Sequence, residues 1–293
     1  MKIKITASVP ILLTVSLLIL YAFTSFAKNQ NSDNTIYILS VFLQIFTYVI
    51  PSIIYFVLNK RKIDKSFFHK KQKISHFKVI VLSAFLITLT GALWSSILYG
   101  LGVTNDLNLL YFPKDNVLLT TIIFIAIPAF LEEFFFRGLI LREYEKYGRF
   151  TAVIFTSVCF AMFHLSISEF PYYFVAGVVL SCVAFITDSL LEVFILHLLH
   201  NLVTLFFGNY LINLLYNFAD TSFVILILFI LVLLFLFWFL SALDTYYKKV
   251  AFLTTEIPKT PNKSIMASLA ECFLSPYFLL FSLIFVAIVF DVF

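Results

Sequence analysis

Apolar segments of about twenty residues recur along almost the entire sequence, and each is long enough to cross a bilayer as a helix. Only 12% of the residues are charged, against about 25% in soluble domains. A segment in lipid must satisfy its own backbone hydrogen bonds, so helices are expected. The sequence therefore predicts an all-α polytopic membrane protein with about eight or nine transmembrane helices. The nine apolar runs lie near residues 7–27, 36–58, 79–102, 117–140, 151–167, 172–187, 192–208, 222–243 and 265–290.

The basic residues indicate how these runs are oriented. If the N-terminus is inside, all of the 20 lysines and arginines except Lys28 and Lys114 fall on the inner side. Such an excess marks the cytoplasmic side of a membrane protein. We therefore expect a cytoplasmic N-terminus, with the basic loop over 60–78 as a topology anchor. We expect the membrane itself to be a bacterial plasma membrane. Nine spans would leave the C-terminus outside. The first run exceeds the apolar core of a signal peptide, about 7–15 residues, so we expect it to be retained.

One of the runs is interrupted by charges, in the sequence "FLEEFFFRG". Each charge at the centre of a bilayer costs roughly 2.5–3.5 kcal/mol on insertion scales. Glu133 and Arg137 are four residues apart and can pair on one helix face, which reduces that cost. Glu132 lies about 100° away around the helix and has no equally close partner. A desolvated carboxylate of this kind suits a general base.

Two later apolar runs carry histidines. His164 follows Ser157, Phe160 and Ala161 on one helical face by the i, i+3, i+4 rule. The sequence "HLLHN" places His197 and Asn201 four residues apart on another helix, with His200 between them.

A carboxylate, imidazoles and an amide on three spans suit hydrolysis, either by general-base activation of water or at a metal site. The sequence contains neither GxSxG nor HExxH, so the serine-hydrolase and zincin signatures are both absent. It has no phosphate-binding loop of the Walker type either.

The three polar elements resemble the motifs of the CPBP family of intramembrane proteases. This family includes the CAAX prenyl endopeptidases and bacterial relatives linked to bacteriocin processing and immunity. The matching motifs are E-E-x-x-x-R at 132–137, F-x-x-x-H at 160–164 and H-x-x-x-N at 197–201. The resemblance covers about 117–208.

The resemblance implies a membrane-embedded hydrolase with an intramembrane active-site chamber. Glu132 and His164 would activate the attacking water, while His197 and Asn201 would hold the site or stabilise the oxyanion. Glu133 and Arg137 would form a structural ion pair. The family is described both as metalloprotease and as metal-free glutamate protease. The cofactor would thus be a divalent metal such as zinc, with ligands from His164, His197 and Glu132, or none.

The expected organisation has three parts. Residues 1–116 hold about three transmembrane helices and the basic loop, residues 117–208 form the protease-like core, and residues 209–293 hold about two further helices. We expect the lipid bilayer and a protein or peptide substrate as partners, and no nucleic acid. The alternatives are a non-catalytic immunity or scaffold protein of the same fold, and a transporter that uses Glu132, His164 and His197 as a proton relay.

Overall fold

The computed structural model describes residues 5–27, 32–59, 76–103, 116–253 and 263–291. These residues form helices and turns, and the described part of the chain contains no β-strand. The expected all-α polytopic class is thereby confirmed. Most of the predicted basic anchor, residues 60–75, lies outside the described residues. We number the helices α1 (Ile5–Ala27), α2 (Asp33–Leu58), α3 (Phe77–Gly100), α4 (Val117–Tyr147), α5 (Arg149–Met162), α6 (Phe170–Thr187), α7 (Leu190–Phe218), α8 (Thr221–Leu253), α9 (Ile265–Phe273) and α10 (Pro276–Val289).

The number of spans is lower than the nine apolar runs suggest. Seven helices in the described residues are long and apolar enough to cross a membrane. The pair α9 and α10, bent by 61°, makes an eighth if it counts as one span. The run predicted over 151–167 forms only the 14-residue helix α5, about 21 Å long where a bilayer core needs about 30 Å. The described residues thus hold seven or eight candidate spans, which agrees with the lower end of the predicted eight or nine. The side of the membrane on which the C-terminus lies stays a prediction.

Two proline residues explain local departures from α-helical geometry in α2 and α4. A π-helical turn, Ile45–Val49, comes just before Ile50 and Pro51. Another, Ile122–Ala126, comes just before Ile127 and Pro128. Proline has no N–H to donate and its ring clashes with the carbonyl four residues earlier, so the preceding turn widens. A third π-helical segment, Phe134–Ile140, contains no proline.

The described residues cluster into two compact units, each built from separate stretches of the chain. The first unit lies within 1–67, 109–178 and 261–293, and the second within 68–108 and 179–260. The segment expected as the protease-like core, 117–208, contributes to both units.

In the first unit α1 packs against α2 and α10, and α5 packs against the end of α4 and against α9. The stacked rings of Tyr144 and Phe155, with centroids 3.9 Å apart, lie in its interior.

In the second unit α3 packs against α8 and α7, around a core that contains Leu93, Val224 and Leu228. Ser189 caps α7, because its Oγ accepts the N–H of Glu192 at 3.4 Å. The Glu192 carboxylate also pairs with Nδ1 of His76 at 3.0 Å, which ties the start of α7 to the start of α3.

Candidate active site

Glu132 and Glu133 lie on α4 between two π-helical segments. The α-helical piece Ile127–Glu133 is preceded by the turn at Ile122–Ala126 and followed by Phe134–Ile140. Each π-helical turn changes the helical register, so side chains after it point in new directions. Such bulges are frequent at functional sites.

The predicted contact between Glu133 and Arg137 is present and buried. Arg137 Nη1 donates to Glu133 Oε1 at 3.0 Å, and both residues are 1% exposed. The guanidinium carbon also lies 4.4 Å from the centroid of the Phe160 ring on α5. Glu133 is the stronger electrostatic partner of Arg137 and Glu132 the weaker one. The hydrogen-bonded partner of Arg137 is therefore Glu133, as the four-residue spacing predicted.

Gly177 allows α6 to approach this pair closely. Arg137 Nη2 donates to the Gly177 carbonyl at 3.3 Å. A Cβ on Gly177 would lie 3.0 Å from Cα and Cβ of Ser157 on α5. A residue larger than glycine would therefore force the backbone of α5 at Ser157 to move.

Glu132 contacts a different set of side chains. It is partly exposed, and the buried Tyr48 of α2 lies beside its carboxylate, within electrostatic and hydrogen-bonding range. Since a tyrosine hydroxyl can donate and an ionised carboxylate can only accept, Tyr48 is the donor. Tyr173 of α6 lies within electrostatic range of the same carboxylate.

His164 is oriented by the end of α5. Its Nδ1 lies 2.9 Å from the Phe160 carbonyl, one of the last four carbonyls of the helix, which lack a helical donor. A carbonyl can only accept, so Nδ1 carries the proton, and Nε2 of the neutral imidazole carries the lone pair. Leu165, the next residue, has φ 52°, a conformation that costs a leucine roughly 1–2 kcal/mol. Such strain is common beside functional residues.

Tyr173 links the two candidate catalytic groups. Its ring stacks on the imidazole of His164, with centroids 3.5 Å apart and planes at 20°. Because Tyr173 is also within electrostatic range of Glu132, Glu132 and His164 share a neighbour in the first unit. Two of the four residues expected to act in catalysis thus lie in the first unit and share this neighbour.

His197 and Asn201 lie on α7 in the second unit. His197 is buried, and Asn201 is partly exposed. The additional histidine of this motif, His200, has Nδ1 3.1 Å from Oγ1 of Thr88 on α3. This contact gives His200 a packing role between α3 and α7, which favours His197 as the residue that corresponds to the motif.

No metal centre with three protein ligands is formed in the described part of the chain. There, no three His, Cys, Asp or Glu side chains form a group that could hold a metal ion. A catalytic zinc site ordinarily has three such ligands. The expected metal ligands Glu132, His164 and His197 stay a prediction, and the proposed residue roles are stated for the side chains of this chain alone.

One comparison with known proteins covers the segment that contains the candidate site residues. Residues 114–203 match the family model described as type II CAAX prenyl endopeptidase Rce1-like. All three sequence motifs lie within this segment, and the resemblance to the CAAX-type intramembrane proteases is confirmed. The chain is a multi-pass membrane protein whose segment 114–203 matches the Rce1-like family model. A search of curated proteins and a search of solved structures each found no match.

Two residues beside the candidate groups were not predicted from the sequence. Tyr48 lies in an apolar run outside the matched segment, although its spacing from Tyr37 and Gln44 places three polar side chains on one face of a span. Tyr173 is separated from His164 by a loop, so its distance along the chain gives no indication of the contact.

Proposed function

We propose that this protein is an intramembrane endopeptidase that hydrolyses a peptide bond in a membrane-associated protein or peptide. The observation that carries the proposal is the different use of two adjacent carboxylates. Glu133 forms a buried ion pair with Arg137, whereas Glu132 is partly exposed, lies beside the hydroxyl of Tyr48, and shares the neighbour Tyr173 with His164. A carboxylate with access to water suits the role of a general base.

In the proposed reaction the Glu132 carboxylate takes a proton from water while the water oxygen attacks the carbonyl carbon of the substrate. Nε2 of His164 accepts a hydrogen bond from the other O–H of the water, which orients the water and transfers no proton. The carbonyl oxygen becomes an oxyanion. The family resemblance implies that His197 and Asn201 stabilise this oxyanion by donating hydrogen bonds to it. Glu132 then transfers its proton to the departing nitrogen, the C–N bond breaks, and the carboxylate is restored.

The surroundings of these groups favour such chemistry. The ring centroid of Phe136 lies 5.3 Å from that of Phe160 and 5.2 Å from that of Phe163. All three are buried. Electrostatic interactions between the reacting groups are stronger in such apolar surroundings than in water.

We propose a cytoplasmic N-terminus, because the basic residues lie mostly on the side that this orientation places inside. We expect the membrane to be a bacterial plasma membrane. An engineered cysteine before α1 should then react with a thiol reagent only after the membrane is permeabilised. Labelling from the outside of intact cells contradicts this orientation.

The test of the proposed activity uses purified protein and an internally quenched peptide that ends in a farnesylated CAAX sequence, with its unprenylated twin for comparison. We expect Glu132→Gln and His164→Ala each to lower cleavage by at least about 100-fold, the usual contribution of general acid–base catalysis. Glu145→Gln, at an exposed surface pair, is the control and should cleave normally. Retained cleavage or a retained cellular phenotype in Glu132→Gln favours the non-catalytic immunity or scaffold protein.

A further inference from the structure

We propose that Tyr48 is a positioning residue that holds the Glu132 carboxylate for catalysis. Helix α2, which lies outside the family-matched segment 114–203, thereby contributes a side chain to the active site. The inference rests on the proposed function of Glu132 and adds a residue that the three motifs do not contain.

The ring of Tyr48 is held on several sides. It is 6% exposed, and its centroid lies 5.5 Å from that of Phe135 and 6.5 Å from that of Phe136, both on α4 just after Glu132. Phe163, the residue before His164, lies 6.3 Å away. A ring packed in this way has little freedom to move, so its hydroxyl is directed at Glu132 without a further loss of entropy on binding substrate.

A second contact between α2 and α4 fixes their register. The N–H of Ile127 bonds to the Ile122 carbonyl, and Pro128 has no N–H to offer. The Ile123 carbonyl therefore lacks a helical donor, and Gln44 Nε2 donates to it at 2.8 Å. A buried carbonyl without a donor costs about 1–3 kcal/mol, so this contact opposes sliding of the two helices.

Three polar contacts form a ladder along one face of α2. The residues involved, Tyr37, Gln44 and Tyr48, are seven and four positions apart, which is the spacing of a single helix face. Tyr37 and Gln44 contact groups of α4 that have no proposed catalytic role, while Tyr48 contacts the proposed base. The α2–α4 ladder consists of Tyr37–Thr120 at 2.8 Å, Gln44–Ile123 at 2.8 Å, and Tyr48–Glu132.

The hydroxyl of Tyr48 restricts the carboxylate that it contacts. A donated hydrogen bond occupies one lone pair of Glu132 and fixes the rotation of the carboxyl group, so the remaining lone pairs point in defined directions toward water. Charge-assisted bonds of this kind are short and directional. The other polar groups that act on Glu132 are Tyr173 from α6 and, more weakly, Arg137 from its own helix.

The test compares two matched tyrosine variants of the full-length protein, assayed with the farnesylated peptide. Tyr48→Phe and Tyr37→Phe each delete one buried hydroxyl between α2 and α4. We expect Tyr48→Phe to lower kcat about tenfold, the effect of losing one hydrogen bond to a charged group, with KM changed less than twofold. Tyr37→Phe should keep the kcat of the wild type.

A second measurement does not depend on activity. Melting temperatures of the wild type, Tyr48→Phe, Glu132→Leu and the double variant form a cycle, in which contacting residues give a non-additive result. We expect the double variant to melt at least about 2 °C above the value obtained by adding the two single effects.

Additive melting temperatures overturn the proposal, and so does a Tyr48→Phe enzyme that turns over as fast as Tyr37→Phe. Equal cleavage by the wild type and Glu132→Gln instead overturns the proposed function of Glu132. The inference about catalysis then falls with it, while the cycle still reports whether the two side chains are in contact.

Discussion

Replacing Arg137 with methionine removes the cation from a carboxylate that has almost no access to solvent. Glu133 is 1% exposed, and Arg137 Nη1 is its partner at 3.0 Å. The substitution also removes the hydrogen bond to the Gly177 carbonyl and the contact with the Phe160 ring. Methionine keeps much of the side-chain length, so the change is mainly one of charge.

The expected loss of stability follows from the burial of the pair. Removing one partner of a buried ion pair costs about 3–5 kcal/mol, because the other charge stays buried without compensation. At roughly 2–4 °C for each kcal/mol in a chain of this size, the Tm should fall by about 10 °C. Combining Arg137→Met with Glu133→Gln should restore most of this loss, since no isolated charge is then left.

The assay is thermal unfolding of the purified protein in detergent, with Arg149→Met as the matched control. Arg149 pairs with Glu145 at the same i,i+4 spacing and 3.3 Å, but its side chain is 46% exposed. Exposed pairs contribute about 0–1 kcal/mol, so the control should change the Tm by no more than about 3 °C. Equal losses in the two arginine variants, or a double variant as unstable as Arg137→Met, would refute the reasoning.

Two further predictions concern the segments around α6. Glu169, which precedes α6, is 8% exposed and its Oε1 has no hydrogen-bond partner among the described residues, and burial raises the pKa of its carboxyl above 4.5. The folded state then binds this proton more tightly and loses stability as the pH rises past 4.5. Glu169→Gln should therefore raise the Tm by a few degrees at pH 7 and hardly at all near pH 4, and an equal gain at both pH values contradicts this. Gly177→Ala should lower the Tm by several degrees, because overpacking costs about 1–3 kcal/mol and its Cβ would lie 3.0 Å from Ser157. Gly208→Ala, whose Cβ would meet only Thr204 at 3.8 Å, is the control and should show no loss.

Hydropathy predicted the positions of the helices because lipid requires long apolar segments with internal hydrogen bonds. The run expected over 79–102, for example, is the helix Phe77–Gly100. Hydropathy did not predict the end of α5, because the apolar residues continue to Ile167 but the helix ends at Met162. A left-handed leucine at 165 follows that end. No glycine or proline marks the turn, so the sequence offered no signal for it.

The candidate site was predictable within single helices and not between them. The four-residue spacing of Glu133 and Arg137 was sufficient to predict their ion pair. The hydrogen bond between Tyr48 and Glu132 depends instead on how α2 and α4 are paired. The contact of Arg137 with the Gly177 carbonyl depends on a backbone atom, whose position no residue type specifies. For this reason the motifs indicated Glu132 and His164 but not the neighbouring side chains Tyr48 and Tyr173.

The most direct test of this account compares Glu132→Gln with Glu133→Gln in parallel measurements of peptide cleavage and Tm on the same preparations. We predict that Glu132→Gln loses cleavage by at least about 100-fold while its Tm changes little, because Glu132 is partly exposed and glutamine keeps a hydrogen-bond acceptor beside Tyr48. Glu133→Gln should instead lower the Tm strongly, because it leaves the buried Arg137 without a counter-charge. Normal cleavage by Glu132→Gln, at a Tm equal to that of the wild type, would contradict the central claim that Glu132 is the catalytic base.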